Sequence, residues 1–399
     1  MKHIGIIAEY NPLHLGHARQ LDYVRRALHA DCISIVMSGD FVQRGAPAWT
    51  DKYLRARMAL SAGADLVLAL PVRYSLSSAE GFARGGVSTL AALGVDGICF
   101  GTESDSLEQL RDIASRLHTL RHSADYDDQL RAHLRRGLTY PQALTRMLSS
   151  HGICHAGDLL SSPNNILALC YLEQLQELAP QITPYALPRN DSGYHDTDAS
   201  GSIVSASAIR AHLIADSDLP QFRDKLPTET WNLLQDTRHF GIGPDDFSAV
   251  LYYHLRNCQD PGELQSCGIS EDLSRRILRE LPQFDRVSTF LDHLKTRNQT
   301  YSGISRGLFR FLLNVQPQTP AAPYARLLGL RSSHSRFLRA SRIPVITKVA
   351  DAHSILPPES LPLWSEDLRA ADLYRFTANA RWNTSLPDEY HRSPLLISP

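Results

Sequence analysis

His14 and His17 stand three residues apart in the run HLGH, directly after an apolar stretch that carries Ile4, Ile6 and Ile7. On the first turn of a helix, positions three apart share a face, so both imidazoles lie on one side. Gly16 between them leaves the backbone open to close approach, and the unpaired N–H groups of a helix start favour an anion. The natural anion is a phosphate. Two preorganised donors there would stabilise negative charge that builds up as a phosphate bond breaks, which is most of what a protein contributes to such transfers. The plain alternative for the pair is a helix cap or a surface site.

Those side chains need a scaffold that brings strand ends together. Apolar runs at about 3 to 9, 32 to 37, 65 to 70 and 95 to 101 alternate with helical patterns at about 16 to 29, 51 to 62 and 78 to 93, the signature of successive βαβ units. Right-handed crossovers then predict an α/β fold, a parallel sheet with helices on both faces. Ligands of such sheets sit beyond the carboxyl ends of the strands, and HLGH, SGDF and FGTE all follow strand ends. Residues 106 to 150 read as amphipathic helices without a strand, an insertion reaching to about 160 that covers one side of the site. A last strand near Ile182 to Leu187 leads through a Gly-containing loop to Ser205 and Ser207, which start another helix. From Asp216 onward the pattern is almost wholly helical, including 245 to 257, 270 to 280, 285 to 296 and 302 to 313. The polar stretch Ala215 to Pro220 therefore divides a catalytic domain, 1–215, from a mostly α-helical C-terminal domain, 216–399.

With 399 residues, 43% hydrophobic and 21% charged, the chain can bury a sizeable core in about two domains. No segment is long and apolar enough for a membrane span and no signal peptide opens the chain, so a cytoplasmic address is expected. The six cysteines form no CxxC pair and read as small hydrophobes. His151, Cys154 and His155 form the one metal-like cluster, but a zinc site needs a second ligand pair, so no metal site is expected. Net charge is −1, yet from His293 to Ala350 there is no Asp or Glu among ten Lys and Arg, Arg331, Arg336 and Arg339 included. Two readings stay open: a basic face that holds RNA through phosphate contacts, or a basic stretch that meets acids from elsewhere in the fold.

HLGH after its strand resembles the HxGH motif of the nucleotidyltransferase superfamily. Together with SGDFVQRGAPA at 38–48, GADLVLALP at 63–71, GVDGICFGTES at 94–104, SPNNILALCYL at 162–172, SGYHD at 192–196 and SASAIR at 205–210, it resembles the bacterial tRNA(Met) cytidine acetate ligase family. The resemblance covers the first 215 residues well and the remainder thinly, through 301–313, 324–330 and 344–348. It implies a Rossmann-like sheet domain and an ATP site built on Ile7, Ala8, Glu9, Tyr10, Asn11, Pro12, Leu13, His14, Leu15, Gly16, His17, Ala18, Arg19 and Gln20. Gly101, Asn164 or Asn165, and Arg189 fill the family's other nucleotide contacts, and Ser205, Ser207 and Arg210 match its second phosphate motif. His14 and His17 become the catalytic donors. Asp40, Gln43 and Arg44 fall on the acceptor side, where the family commonly carries Glu in place of Ala46 and Ala69.

The implied activity is an ATP-dependent ligase that joins acetate to AMP as acetyl-adenylate, releases pyrophosphate and acetylates N4 of the wobble cytidine of elongator tRNA(Met), giving N4-acetylcytidine. ATP is the required nucleotide, Mg²⁺ an optional companion, and acetate and tRNA are the partners, with no protein partner implied. A small-molecule adenylyltransferase of coenzyme biosynthesis and a non-catalytic nucleotide- or RNA-binding regulator are the rivals. The first has no evident need of a helical half with a basic stretch. The second has no physical reason to keep both HLGH and SASAIR.

Overall fold

The computed structural model describes residues 1–104, 106–152, 156–188, 205–216, 219–297, 299–317 and 320–398. Its strands are β1 (His3–Ala8), β2 (Cys32–Ser38), β3 (Phe41–Val42), β4 (Ala46–Pro47), β5 (Leu66–Leu70), β6 (Gly97–Thr102), β7 (Thr183–Pro188), β8 (Ala325–Arg331), β9 (Val345–Ile346) and β10 (Leu395–Ile397). The run β5-β2-β1-β6-β7 is parallel throughout. All seven residues of β2 are buried, as a strand covered on both faces requires. One face of the sheet packs Val36, Leu68 and Ile98 against helices Ala79–Ala92, Leu107–Arg121 and Pro163–Leu178; the other packs Ile6, Ile35 and Val67 against α1 (Leu15–Arg26) and α2 (Lys52–Ser61). Strand order reverses between β1 and β6, and a crevice opens at that point beyond the strand ends. HLGH follows β1 and Gly101 lies near the end of β6, so the crevice has both at its rim.

The C-terminal half departs from an almost purely helical region. Helices such as Ser248–Asn257, Tyr301–Leu313 and Leu361–Trp382 fill most of it, but β8 returns to pair antiparallel with β5, and β9 and β10 pair with β8. Left alone, β5 would be an exposed apolar edge. The run ARLLGLR that covers it is too short for periodicity to separate strand from buried helix. A division at residues 215–220 therefore does not leave the sheet to the N-terminal half alone.

The rest of the helical half builds its own apolar centre around Phe247, Leu251, Phe290, Leu308 and Phe309. Phe41 of the β3–β4 hairpin enters that centre, with its ring 5.7 Å from those of Phe247 and Phe309. The hairpin is pressed closely onto helix Tyr301–Leu313. At Gly45, where φ is +77°, an added Cβ would strike the backbone of Arg306, and Ser305 Oγ donates to Gly45 O. Only glycine tolerates both demands. No helix among the described residues is long and apolar enough to cross a membrane.

Candidate active site

The crevice beyond β1 and β6 is lined from the loop after β1, the start of α1, the β3–β4 hairpin, the end of β6, helix Pro163–Leu178 and helix Ala206–Asp216. His14 is the N-cap of α1, in extended backbone at φ −126° and ψ 177°. Its Nδ1 accepts from Gly16 N at 3.1 Å, and its own N–H donates to His17 Nδ1 at 3.3 Å. The two rings lie 3.8 Å apart between centroids. A neutral imidazole that accepts at Nδ1 carries its proton on Nε2. The helix start thus selects one tautomer for both histidines, with the ring proton on Nε2.

The second anion motif meets the first across the crevice. Arg210 donates through Nη1 to Asn11 O in the loop before HLGH, and through Nη2 to Ser207 Oγ at 3.3 Å. Ser205 Oγ accepts from Ala208 N at 3.1 Å as a helix cap, so capping and lining the crevice are compatible roles. Asn11 Oδ1 accepts from Trp49 N at 2.8 Å and ties the same loop to the start of the next helical segment. Tyr10 occupies the left-handed region at φ +48° and is wholly buried, which pushes its hydroxyl pKa above the usual range. Gln20 Nε2 donates to Cys99 O at 3.1 Å, joining α1 to β6 behind the site.

Of the residues expected at the nucleotide, Ile7, Ala8, Glu9, Tyr10, Asn11, His14, Gly16, His17, Gln20, Gly101, Asn164, Ser205, Ser207 and Arg210 line this one crevice. Pro12, Leu13, Leu15, Ala18 and Arg19 are not in its wall; Leu13 is buried in the core instead. Asn164 and Asn165 separate cleanly. Asn164 lines the crevice and donates to Glu103 Oε1 at 2.7 Å, whereas buried Asn165 accepts from Glu103 N at 2.9 Å and braces the loop after β6. Arg189, the SGYHD run, and Cys154 and His155 of the metal-like cluster lie outside the described residues.

Of the residues expected on the acceptor side, Gln43 and Arg44 line the crevice from the hairpin tip. Asp40 does not. It is buried and ion-paired with Lys52 Nζ at 2.7 Å, in a network where Lys52 also meets Glu389 at 2.9 Å and Arg326 meets Glu389 at 2.9 Å. Burial works against the Lys52 charge, but Asp40 and Glu389 overcome it and hold its pKa above the usual value. Asp40 instead helps to hold Lys52 where the segment after β2 meets the start of α2.

Arg331 is likewise committed within the fold. It donates to Leu60 O at 2.8 Å and Ala64 O at 3.3 Å and lies 3.7 Å from Asp65. With His334 bonded to Asp31 O at 3.1 Å, this segment sits at the amino ends of β2 and β5, opposite the crevice. A strand's length, roughly 20 Å, separates the two edges. Acids from elsewhere, Asp65 and Glu389, thus meet part of the acid-free stretch, while Arg336 and Arg339 remain exposed.

An apolar wall of Phe82, Phe100, Leu167, Tyr171 and Leu187 completes the lining, together with Ala206. Residue-by-residue motif reading passes over these positions. A signal existed for two of them: Leu167 and Tyr171 follow Asn164 by three and seven residues and so share its helix face.

A crevice at the strand-order reversal, with two Nε2–H donors and an arginine-bridged second helix start, is suited to a nucleotide's phosphates and base. The family model for HIGH nucleotidyl transferases matches residues 1–387. The chain is 37% identical to the tRNA(Met) cytidine acetate ligase of Clostridium acetobutylicum, over 98% of this chain and 99% of that protein. The chain belongs to the tRNA(Met) cytidine acetate ligase family. A crystal structure of Thermotoga maritima TmcAL in an apo form shares this fold with a TM-score of 0.91 at 26% identity, and one bound with alpha-thio ATP shares it at 0.88, each over the whole of both chains. The family likeness extends through the helical half and the returning strands, so β8 to β10 belong to the ligase-family fold.

Proposed function

We propose that the chain is an ATP-dependent tRNA(Met) cytidine acetate ligase of the cytoplasm. An acetate oxygen attacks the α-phosphorus of ATP, pyrophosphate leaves, and the acetyl group of the resulting acetyl-adenylate passes to N4 of the wobble cytidine. His14 and His17 donate to the triphosphate as charge moves toward pyrophosphate, and Ser205, Ser207 and Arg210 hold the β and γ phosphates. Gly101, Asn164 and the aromatic wall take the nucleoside, with Arg189 as a further contact. Mg²⁺ would enter on the phosphate oxygens, as it does in sites that lack an all-protein cage. Acetate is a poor acylating agent and an exocyclic amine a weak nucleophile, so adenylation supplies the leaving group that the second step needs. A base in an A-form stem is hidden in its deep groove, whereas an anticodon-loop base can be splayed into a crevice.

The observation that carries this reading is that both phosphate motifs line one crevice, Arg210 joining them, in a chain whose likeness to the ligases runs from end to end. The test is pyrophosphate release from ATP with a panel of short carboxylates, each run with and without bulk tRNA, followed by nucleoside analysis for N4-acetylcytidine. Acetate-dependent release and acetylated tRNA are expected. Release that depends instead on a phosphorylated small molecule would move the chain to the adenylyltransferases, and no release with any carboxylate would favour a regulator.

Gly101→Leu should weaken ATP binding by more than tenfold in calorimetry with little loss of stability, because it adds a side chain at the crevice wall. Unchanged affinity would move the nucleotide elsewhere. For the RNA, Arg336 and Arg339 are proposed as phosphate contacts away from the reacting base. Replacing both by Ala should flatten the salt dependence of tRNA binding by about one to two counterions. An unchanged slope would make them a solvated face.

A further inference from the structure

Glu9 is the one acidic side chain among the described residues of a crevice otherwise furnished with His14, His17, Arg44 and Arg210. A carboxylate beside a bound polyphosphate is repelled unless it serves another group. Its position is well defined: Glu9 O accepts from Arg55 Nη1 at 2.7 Å, and Glu9 Oε1 accepts from Gln43 N at 2.9 Å. The side chain therefore stands where the loop after β1 meets the hairpin tip that carries Gln43 and Arg44. Among the described residues it has no ion-pair partner, and no other hydrogen bond of its carboxylate is formed, so Oε2 retains acceptor capacity for a ligand. The hairpin is fixed in turn by the helical half, through Arg306 Nη1 donating to Gln43 O at 3.2 Å.

The missing partner is a donor that carries protons in a site rich in phosphate. Cytosine presents such a group at N4, and a carboxylate is its matching acceptor. We infer that Glu9 is a catalytic residue of the transfer step, receiving the cytidine N4–H and acting as its general base; this rests on the ligase reading above. The N4 lone pair attacks the carbonyl carbon of acetyl-adenylate and forms the C–N bond. One N4 proton passes to the Glu9 carboxylate, the bond from the carbonyl carbon to the phosphate oxygen breaks, and AMP leaves with that electron pair. Glu9 then returns its proton to solvent. This proton transfer belongs to the second step, so its loss should cost transfer more than adenylation, and that asymmetry makes it testable.

The experiment uses the full chain with Glu9→Gln, which keeps an oxygen for the Gln43 N–H, alongside Glu9→Asp. Two rates are measured: acetate-dependent exchange of pyrophosphate into ATP, and single-turnover transfer of labelled acetyl to a tRNA(Met) transcript. For Glu9→Gln, the ratio of transfer rate to exchange rate should fall by about tenfold or more, and Glu9→Asp should recover part of that ratio. A parallel fall in both rates would assign Glu9 to ATP or its metal and overturn the inference. Unchanged transfer would reduce it to a brace for Gln43 and overturn it equally. If the wild-type chain exchanges pyrophosphate yet acetylates no tRNA, the ligase reading itself fails and this inference with it.

Discussion

His17→Ala should slow acetate-dependent pyrophosphate release by about 10²- to 10³-fold, the usual loss when one preorganised donor to developing negative charge is removed. The expectation rests on the tautomer argument. His17 Nδ1 is occupied by the His14 N–H, so the remaining ring N–H is on the other nitrogen, and both rings line the same crevice. His14 needs a different replacement, because as N-cap it also satisfies Gly16 N–H. Alanine there would add about 1 kcal/mol of lost capping to any catalytic effect. His14→Asn retains a good cap and deletes the Nε2–H donor, so a comparable fall in rate with a melting temperature within a few degrees of wild type is expected. Near wild-type release in both variants would remove the histidines from the chemistry.

Lys52→Met should destabilise the fold by about 3–5 kcal/mol, read as a lower denaturant midpoint at unchanged slope. Lys52 is buried between Asp40 at 2.7 Å and Glu389 at 2.9 Å, and its removal leaves two buried carboxylates short of a cation. Arg326 also pairs with Glu389 and receives support from Tyr53, whose hydroxyl accepts from Arg326 Nη2 at 2.6 Å. The network ties the segment before β10 to the start of α2, so the loss should include looser docking of the C-terminal strand.

The same network has a pH signature. Burial acts to raise the pKa of Glu389, but Lys52 and Arg326 overcome it and hold the carboxyl below its ordinary value. A depressed folded-state pKa contributes stability that is complete above the unfolded value, about 4.3, and is lost as pH falls through the folded one. The wild-type chain should therefore lose stability on acidification below about pH 4. Lys52→Met, in which part of that depression is gone, should show a shallower loss over the same window. Identical acid dependence in the two proteins would show that the pair contributes nothing to folding.

Local patterns were legible in the sequence because their causes lie within a few residues. The βαβ alternation, the strand ending before HLGH and the helix beginning at Leu15 follow from apolar periodicity and capping over short windows. The convergence of HLGH and Gly101 on one edge follows from strand direction alone, since parallel strands share their carboxyl ends. Tertiary structure decided whatever depends on partners far away in the chain. Asp40 reads as a loop residue next to the motif; Lys52, 12 residues on, pairs with it, and only the folded chain brings Glu389 to the same ammonium. Asn164 and Asn165 are equivalent as letters; the phase of their helix against the loop after β6 sends one to the crevice and the other into the core. Arg331 sits in a basic stretch whose charge pattern cannot reveal that β8 runs antiparallel to β5 and carries it to the edge away from the site. Short-range order is written in composition and spacing, whereas the Lys52–Glu389 ion pair and the returning edge strand β8 each need two segments hundreds of residues apart to meet, and no window of sequence contains both.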